Sequence, residues 1–172
     1  ISCDADHLSQ VGQTPNDPSF GLLWGLHNTQ GSNLDNDMDA PEAWNLQTGK
    51  NTVTVAVIDT GVDLDHPDLS QNIWNNTQEV LNGIDDDGNG FVDDLVGWDF
   101  VSNDNNPSDE HYHGTHCAGT IGAVGNNGVG VTGVAWQVNI MALRFLDDFG
   151  VGVDSDAIQA IRYANQMNAQ VS

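Results

Sequence analysis

An aspartate and a histidine, each inside a distinctive local pattern, are the residues of this chain best suited to chemistry. Asp59 ends the run Val53-Thr-Val-Ala-Val-Ile-Asp59-Thr-Gly61, and His113 opens the run His113-Gly-Thr-His-Cys-Ala-Gly-Thr120. A buried carboxylate beside an imidazole fixes its tautomer and stabilises the imidazolium that forms when histidine takes a proton. Asp59 alone would fit a strand-end turn equally well. The two motifs together indicate general acid–base catalysis.

A strand must position the aspartate. Residues 53–58 alternate Val with Thr or Ala and then become fully apolar, which is typical of a strand buried on both faces of a parallel sheet. Open α/β sheets place their sites at the carboxyl ends of such strands. We therefore expect Asp59 at the carboxyl edge of a parallel sheet.

Helices must position the histidine and close the sheet. The residues after His113 form a small face that predicts a helix packed closely on a neighbouring backbone; they are Gly114, Ala118, Gly119 and Gly122. A second helix is predicted from Asp154 onward, with Asp154 or Ser155 as N-cap. Its apolar residues recur at helical spacing and are Ala157, Ile158, Ile161, Ala164 and Met167.

These motifs resemble the subtilisin family of serine proteases (subtilases), and most closely its thermitase-like branch. The matching segments are 14–18, 40–44, 66–69, 130–135 and 138–146, in addition to the two catalytic motifs. The resemblance implies an α/β fold with a subtilisin-like parallel sheet flanked by helices. Residues 14–172 would form the N-terminal portion of the peptidase domain, after an N-terminal arm at residues 1–13.

The resemblance also implies an extracellular serine endopeptidase with an Asp-His-Ser triad, in which Asp59 orients His113. No serine of this chain stands in the family's Gly-Thr-Ser-x-Ala nucleophile motif. We therefore expect the chain alone to be inactive, and a companion chain or C-terminal portion to carry the serine. Protein or peptide substrates, an inhibitory propeptide before maturation and secretion follow from the same resemblance. An inactive, calcium-binding subtilase-like module is the alternative.

A short glycine-containing segment resembles the family's substrate-binding edge. It consists of Gly150, Val151 and Gly152, and it follows the predicted strand that ends at Leu146. Pairing with an extended substrate through main-chain hydrogen bonds tolerates many side chains, so broad specificity is expected.

The charge balance is strongly acidic. The chain has 25 Asp and Glu against three basic residues, for a net charge of −22. This balance argues against nucleic acid or an anionic membrane as a partner. No run of 18 apolar residues suits a membrane span. Clustered carboxylates need cations to offset their repulsion, which favours calcium as a cofactor.

Residues 85–94 form the densest acidic cluster. Asp85, Asp87, Asn89 and Gly90 fall at the first, third, fifth and sixth positions of an EF-hand-type calcium loop. The predicted ligands are Asp85, Asp87, Asn89, the main-chain carbonyl of Phe91, and Asp94. Position twelve is Val96 in place of glutamate, and either Asp93 or Asp94 could substitute for that glutamate. An acidic hairpin turn would fit the same residues.

A second calcium site is implied by the family resemblance alone. Its matching positions are Asp17, Asp68, Val124, Asn127, Val129 and Val131, with the valines contributing main-chain carbonyls. A third acidic run, Asp35, Asp37 and Asp39, precedes the predicted helix at Trp44 and suits a helix N-terminus; metal binding there stays open.

Two further patterns leave alternatives. Cys117 is expected to be a buried structural thiol, with some thiolate character from nearby His113, and a bridge to Cys3 is one option for its pairing. The spacing of His111, His113 and His116 resembles a zinc-hydrolase motif, but Thr115 occupies the position where that motif has aspartate. Zinc hydrolysis is therefore the remote alternative.

Overall fold

The fold is a parallel sheet with a helix on each face. The computed structural model describes residues 12–30 and 34–172. Within these ranges the helices are α1 (Ala40–Trp44), α2 (His113–Gly122) and α3 (Asp154–Gln166), and the strands are β1 (Gly49–Asp59), β2 (Gly97–Asp99) and β3 (Gln137–Arg144). The three strands are parallel and lie in the order β1-β3-β2. The predicted α/β fold is confirmed. The predicted arm, except its last two residues, lies outside the described residues.

β3 is the centre of the sheet because its side chains are buried on both faces. Ile140 and Ala142 pack in the cluster that contains Ala118 of α2, and Met141 and Leu143 pack on the α3 side. All four β3 side chains are 0% exposed. A nearly continuous apolar run is expected for such a strand. In the register, Asp59 of β1 lies beside Arg144 of β3, so both strands end at the same edge.

The small residues of α2 allow the helix to pack closely against neighbouring segments at two positions. A Cβ on Gly114 would collide with the carbonyl oxygen of Gly61, and a Cβ on Gly122 would collide with the Val138 side chain. These contacts confirm the expected close packing of the helix. Gly119, which the sequence placed on the same face, has open space where a Cβ would lie.

α3 differs from the prediction at its start and along one side. Its N-cap is Val153, whose carbonyl accepts from the N–H groups of Asp156 (3.0 Å) and Ala157 (3.3 Å), so neither Asp154 nor Ser155 caps it. Ile158 and Ile161 are 49% and 54% exposed. The side that packs on the sheet is built instead by the residues Ala160, Tyr163 and Ala164.

Aromatic packing ties the N-terminal part of the described chain to the sheet. Phe20, Trp44 of α1 and Trp136 form a separate buried cluster, and the Trp44 indole N–H donates to the Val134 carbonyl at 2.9 Å. In the described ranges, no helix combines the length and apolar character that crossing a membrane requires.

Candidate active site

The carboxyl edge of β1 and the first residue of α2 bring the two predicted catalytic side chains into contact. Nδ1 of His113 lies 2.7 Å from Oδ1 and 2.9 Å from Oδ2 of Asp59. The Asp59 side chain is 14% exposed, and the His113 side chain is 56% exposed. The carboxylate is therefore shielded, while the imidazole opens to the surface of the molecule.

This contact sets the protonation of the imidazole. Hydrogen bonding to Asp59, reinforced by its negative charge, raises the pKa of His113 above its ordinary value of 6.5. Arg144 is adjacent to Asp59 in the register, but its guanidinium is paired with Asp99 and Asp148, each at 2.6 Å. Among the described residues, His113 is the one basic side chain that pairs with Asp59. A proton on Nδ1 leaves Nε2 as the open basic nitrogen.

Backbone and hydroxyl groups hold the two side chains in place. The N–H of Thr60 donates to Oδ1 of Asp59 at 2.7 Å, and the Thr60 hydroxyl accepts from the N–H of Gly114 at 2.9 Å. The same hydroxyl donates to Asp109 at 2.9 Å. Sequence inspection did not identify Thr60 or Asp109, because their partners belong to a loop and a helix start distant in sequence.

Cys117 is half-buried beside the His113 imidazole, so it is less buried than the sequence predicted. Its Sγ is 3.9 Å from Nδ1 of His113. Burial raises the pKa of the Cys117 thiol, and the neighbouring Asp59 carboxylate raises it further. The predicted thiolate character is therefore wrong. Asp59, His113 and Cys117 have ligand atoms within 4.8 Å of one another. The predicted alternative of a bridge to Cys3 lies outside the described residues.

The three histidines of the zinc-hydrolase pattern do not converge. His111 stacks on Tyr112 with ring centroids 4.6 Å apart, while His113 faces Asp59. No potential metal-binding group within residues 12–30 and 34–172 combines His111, His113 and His116. The zinc alternative is not supported by this arrangement.

Comparison with known proteins decides the family. The family profile described as the Subtilase family matches residues 50–172. This chain belongs to the subtilase family. The match includes both catalytic motifs and all three strands from within β1 onward.

Individual subtilases match over nearly the whole chain. Thermitase from Thermoactinomyces vulgaris is 35% identical over 92% of this chain and 46% of its own length. Subtilisin-like protease 1 from Plasmodium vivax is 39% identical over 91% of this chain and 24% of its own length. A solved protease from Pseudoalteromonas arctica superposes with a TM-score of 0.68 and 31% identity, covering 93% of this chain and 46% of that one. The chain thus spans less than half the length of these relatives.

The predicted substrate-binding edge of this subtilase forms a tight turn. The N–H of Val151 donates to the Asp147 carboxylate at 2.9 Å, and its carbonyl accepts from the N–H of Asp147 at 2.8 Å. Gly150 has a φ of 72°, and a Cβ on Gly152 would collide with the Phe145 carbonyl. Within the described residues, both backbone groups of Gly152 and the carbonyl of Gly150 have no hydrogen-bond partner. Gly150 and Gly152 are both exposed.

The acidic loop brings together a set of carboxylates that overlaps the predicted one. Glu79, Asp87 and Asp94 each place a carboxylate oxygen within 4.8 Å of the other two. Two of the predicted ligands, Asp87 and Asp94, are in this group. Asp85 is not, because its carboxylate accepts from the N–H groups of Gly88, Asn89 and Gly90 within its own turn. Phe91 packs its ring on Trp98 and Tyr163.

Glu79 is the member of this group that sequence reasoning missed. Its carboxylate accepts from the N–H groups of Asp86, Asp87 and Asp93 at 2.8–3.1 Å, so it organises the loop from outside the EF-hand-like pattern. Burial raises the pKa of Asp94 despite hydrogen bonds from Tyr163, Asn89 and Asn76. No basic side chain forms an ion pair with the three carboxylates in the described part of the chain. Their chemistry fits a hard cation.

Two members of the second predicted calcium set, Asp17 and Asp68, contact the same loop. Asp17 and Asp68 are 4% and 2% exposed, and both contact the loop of residues 124–131. Asp17 accepts from the N–H groups of Asn126 (2.6 Å) and Asn127 (3.3 Å). Asp68 accepts from the Asn127 side chain (2.9 Å) and from the N–H of Val131 (2.8 Å).

The acidic run before α1 has a local structural role. Asp37 accepts from the N–H groups of Asn28 (2.5 Å) and Asp39 (2.7 Å), and these bonds lower its pKa. Asp39 occupies the N-cap position with a φ of 54°, but its side chain makes no capping hydrogen bond. Turn formation therefore explains Asp37 better than the predicted interaction with a helix N-terminus.

Proposed function

We propose that this chain supplies the aspartate and histidine of an extracellular serine endopeptidase. The observation that carries the proposal is the contact between His113 Nδ1 and shielded Asp59, with Nε2 on the open side of the ring. In this role Nε2 takes the proton of a serine hydroxyl as its oxygen attacks the peptide carbonyl. The same proton then passes to the leaving amine, and a water molecule repeats the sequence to release the acyl group. Asp59 stabilises the imidazolium in both steps.

The serine belongs to a C-terminal portion of the parent protein or to a companion chain. In the described residues, no serine hydroxyl is hydrogen-bonded to His113. The edge of β1 that faces away from β3 supports this arrangement. The carbonyl of Val171 accepts from the N–H of Ala56 at 2.9 Å, so Val171 starts a parallel pairing along β1. A strand continuing in this direction would run toward Asp59.

Substrates are proteins or peptides that bind in extended form. Free backbone groups at Gly150 and Gly152 would add the substrate as a strand through main-chain hydrogen bonds, which places few demands on its side chains. The tight turn that Asp147 closes around Val151 holds these groups in position.

Calcium is the proposed structural cofactor. Glu79, Asp87 and Asp94 would hold one ion, and Asp17 and Asp68 with loop carbonyls would hold another. A bound ion would offset the repulsion between buried carboxylates and stabilise the folded state by mass action. Secretion, and inhibition by a propeptide before maturation, complete the proposal by analogy with the family.

Cleavage of a peptide substrate by the parent protein tests this function. We expect His113→Ala to abolish cleavage and His116→Ala to leave it intact, because His116 is exposed on the same helix and does not contact Asp59. A parent protein that cleaves equally well without His113 would refute the triad. A parent that never cleaves would support the alternative, an inactive calcium-binding module.

A further inference from the structure

Asp109 is the most heavily hydrogen-bonded side chain near the candidate active site. Its Oδ1 accepts from the N–H groups of His111 (2.8 Å) and Tyr112 (2.9 Å) and from the Thr60 hydroxyl (2.9 Å). Its Oδ2 accepts from the N–H (2.9 Å) and the hydroxyl (2.5 Å) of Thr115. One carboxylate therefore satisfies three backbone N–H groups and two hydroxyl groups.

These contacts connect the two elements that carry the catalytic pair. Thr60 follows Asp59 directly, while Tyr112 and Thr115 flank His113 at the start of α2. Tyr112 has a φ of 91°, an unfavourable backbone conformation for a residue with a side chain. The hydrogen bond from its N–H to Asp109 helps to hold this conformation, which directs the chain into α2.

The surroundings of Asp109 favour its ionised form. Burial by itself would raise its pKa, but hydrogen bonds from Thr115, His111 and Thr60 outweigh burial, so the pKa of Asp109 lies below its usual value. The side chain thus stays an acceptor for all five donors. None of these donors belongs to Asp59 or His113, so Asp109 acts on the pair through their neighbours.

We propose that Asp109 is a positioning residue that fixes the distance and orientation between Asp59 and the His113 imidazole. This inference rests on the proposed function, in which that contact generates the base. Asp109 would touch neither the substrate nor the reacting atoms. Loss of the Asp109 carboxylate would loosen both the turn at Thr60 and the first turn of α2. The short contact between His113 Nδ1 and the Asp59 carboxylate would then lengthen.

Three titratable groups act on the His113 ring from its surroundings. They are Asp59 at the end of β1, Asp109 in the loop before α2, and Cys117 on α2 itself. Asp59 is the dominant cause of the raised pKa of His113, and Asp109 adds to it in the same direction. Both the geometry and the charge of Asp109 therefore favour the protonated imidazole.

Proton NMR of the 172-residue chain tests this inference without requiring activity. In the wild type we expect a downfield Nδ1–H resonance of His113 and an imidazole pKa above 6.5. In Asp109→Asn we expect this resonance to broaden or disappear and the pKa to fall. The matched control Asp65→Asn removes the same charge from an exposed side chain outside these contacts, and it should change neither.

A second variant covers the case in which Asp109→Asn does not fold. Thr60→Val removes the hydroxyl that donates to Asp109 and accepts from Gly114, while keeping the Asp109 charge. The Nδ1–H resonance should therefore weaken in Thr60→Val and be retained in Thr60→Ser. In the active parent protein, Asp109→Asn should lower kcat by roughly 10–100-fold with little change in KM.

The outcomes separate this inference from the proposed function. A normal wild-type resonance that survives unchanged in Asp109→Asn and Thr60→Val, even with lower thermal stability, would show that Asp109 is only a structural cap. A wild type without the resonance and without a raised pKa would instead overturn the proposed Asp59–His113 base itself.

Discussion

Nδ1 of His113 lies 2.7 Å from Oδ1 of Asp59, and both carboxylate oxygens are within hydrogen-bonding distance of the same nitrogen. The contact joins the last residue of β1 to the first residue of α2. It leaves one nitrogen of the imidazole open while the other is held by a shielded carboxylate. The open nitrogen, Nε2, is therefore the one that can accept or donate a proton at this site.

Replacing the aspartate should disable the base while preserving the fold. Asp59→Asn keeps the size of the side chain but removes its charge and allows the wrong imidazole tautomer. We expect kcat of the parent protein to fall by about 10⁴-fold, the size of this effect in serine proteases. Steady-state kinetics on a peptide substrate would measure it. Asp65→Asn is the control, and equal losses in both variants would contradict a specific role for Asp59.

The raised pKa of His113 predicts the pH dependence of activity. The neutral imidazole is the base, so activity should rise with pH through the pKa of His113, at a higher pH than for a free histidine. Asp59→Asn should move the rise in activity to lower pH, because it removes the main cause of the raised pKa of His113. A profile of kcat/KM against pH would show the shift. An identical acid limb in both proteins would count against the contact.

The same pKa shift has a consequence for stability with a definite sign. Because the pKa of His113 is higher in the folded state than in the unfolded state, its ion pair stabilises the fold at low pH. This contribution is fully present below the unfolded value and is lost as pH rises through the folded value. The difference in Tm between wild type and His113→Gln should therefore shrink from pH 5.5 to pH 8.5. A constant difference would contradict the predicted sign.

Calcium removal should destabilise the chain through the acidic loop. We expect EGTA to lower Tm, with a stabilisation of about 2.7 kcal/mol when free calcium is 100-fold above its Kd. Glu79→Gln should reduce the calcium-dependent part of Tm. Asp85→Asn is the matched control, since Asp85 lies in the EF-hand-like pattern but outside the converging carboxylates. A larger effect from Asp85→Asn would favour the ligands inferred from the pattern.

Two glycines of α2 provide a matched test of the close packing. Gly114→Ala would drive a Cβ into the Gly61 carbonyl, and overpacking of this kind costs about 1–3 kcal/mol. Gly119→Ala meets open space and gains helix propensity, so it should stabilise the chain by up to about 1 kcal/mol. Urea denaturation would measure both. Similar effects of the two substitutions would show that helix propensity alone controls the result.

The contact between Asp59 and His113 could be predicted because its signal is local in sequence. Asp59 ends a recognisable buried strand, and His113 begins a helix with small residues, so each motif carries its own structural context. The parallel sheet followed from the same apolar patterns. Asp17 and Asp68 contact one loop, residues 124–131, and their role as calcium ligands stays a prediction.

Other features depended on contacts that no sequence pattern records. Asp109 and Glu79 accept hydrogen bonds from the backbone N–H groups of turns. The positions of these N–H groups depend on the folded conformation of each turn, so no residue pattern reveals them. The apolar spacing of α3 predicted that Ile158 and Ile161 pack on the sheet, but both side chains are about half exposed and lie outside the packed side of the helix. Tyr163 was overlooked there, although it is 1% exposed and bonds to Asp94.

Fluorophosphonate labelling, read by intact mass, tests the central claim most directly. The parent protein should gain one adduct, on a serine outside residues 1–172, and His113→Ala should abolish it, while the 172-residue chain alone should remain unlabelled. An adduct on a serine of this chain, or labelling of the parent that persists without His113, would contradict the division of the triad proposed for this subtilase.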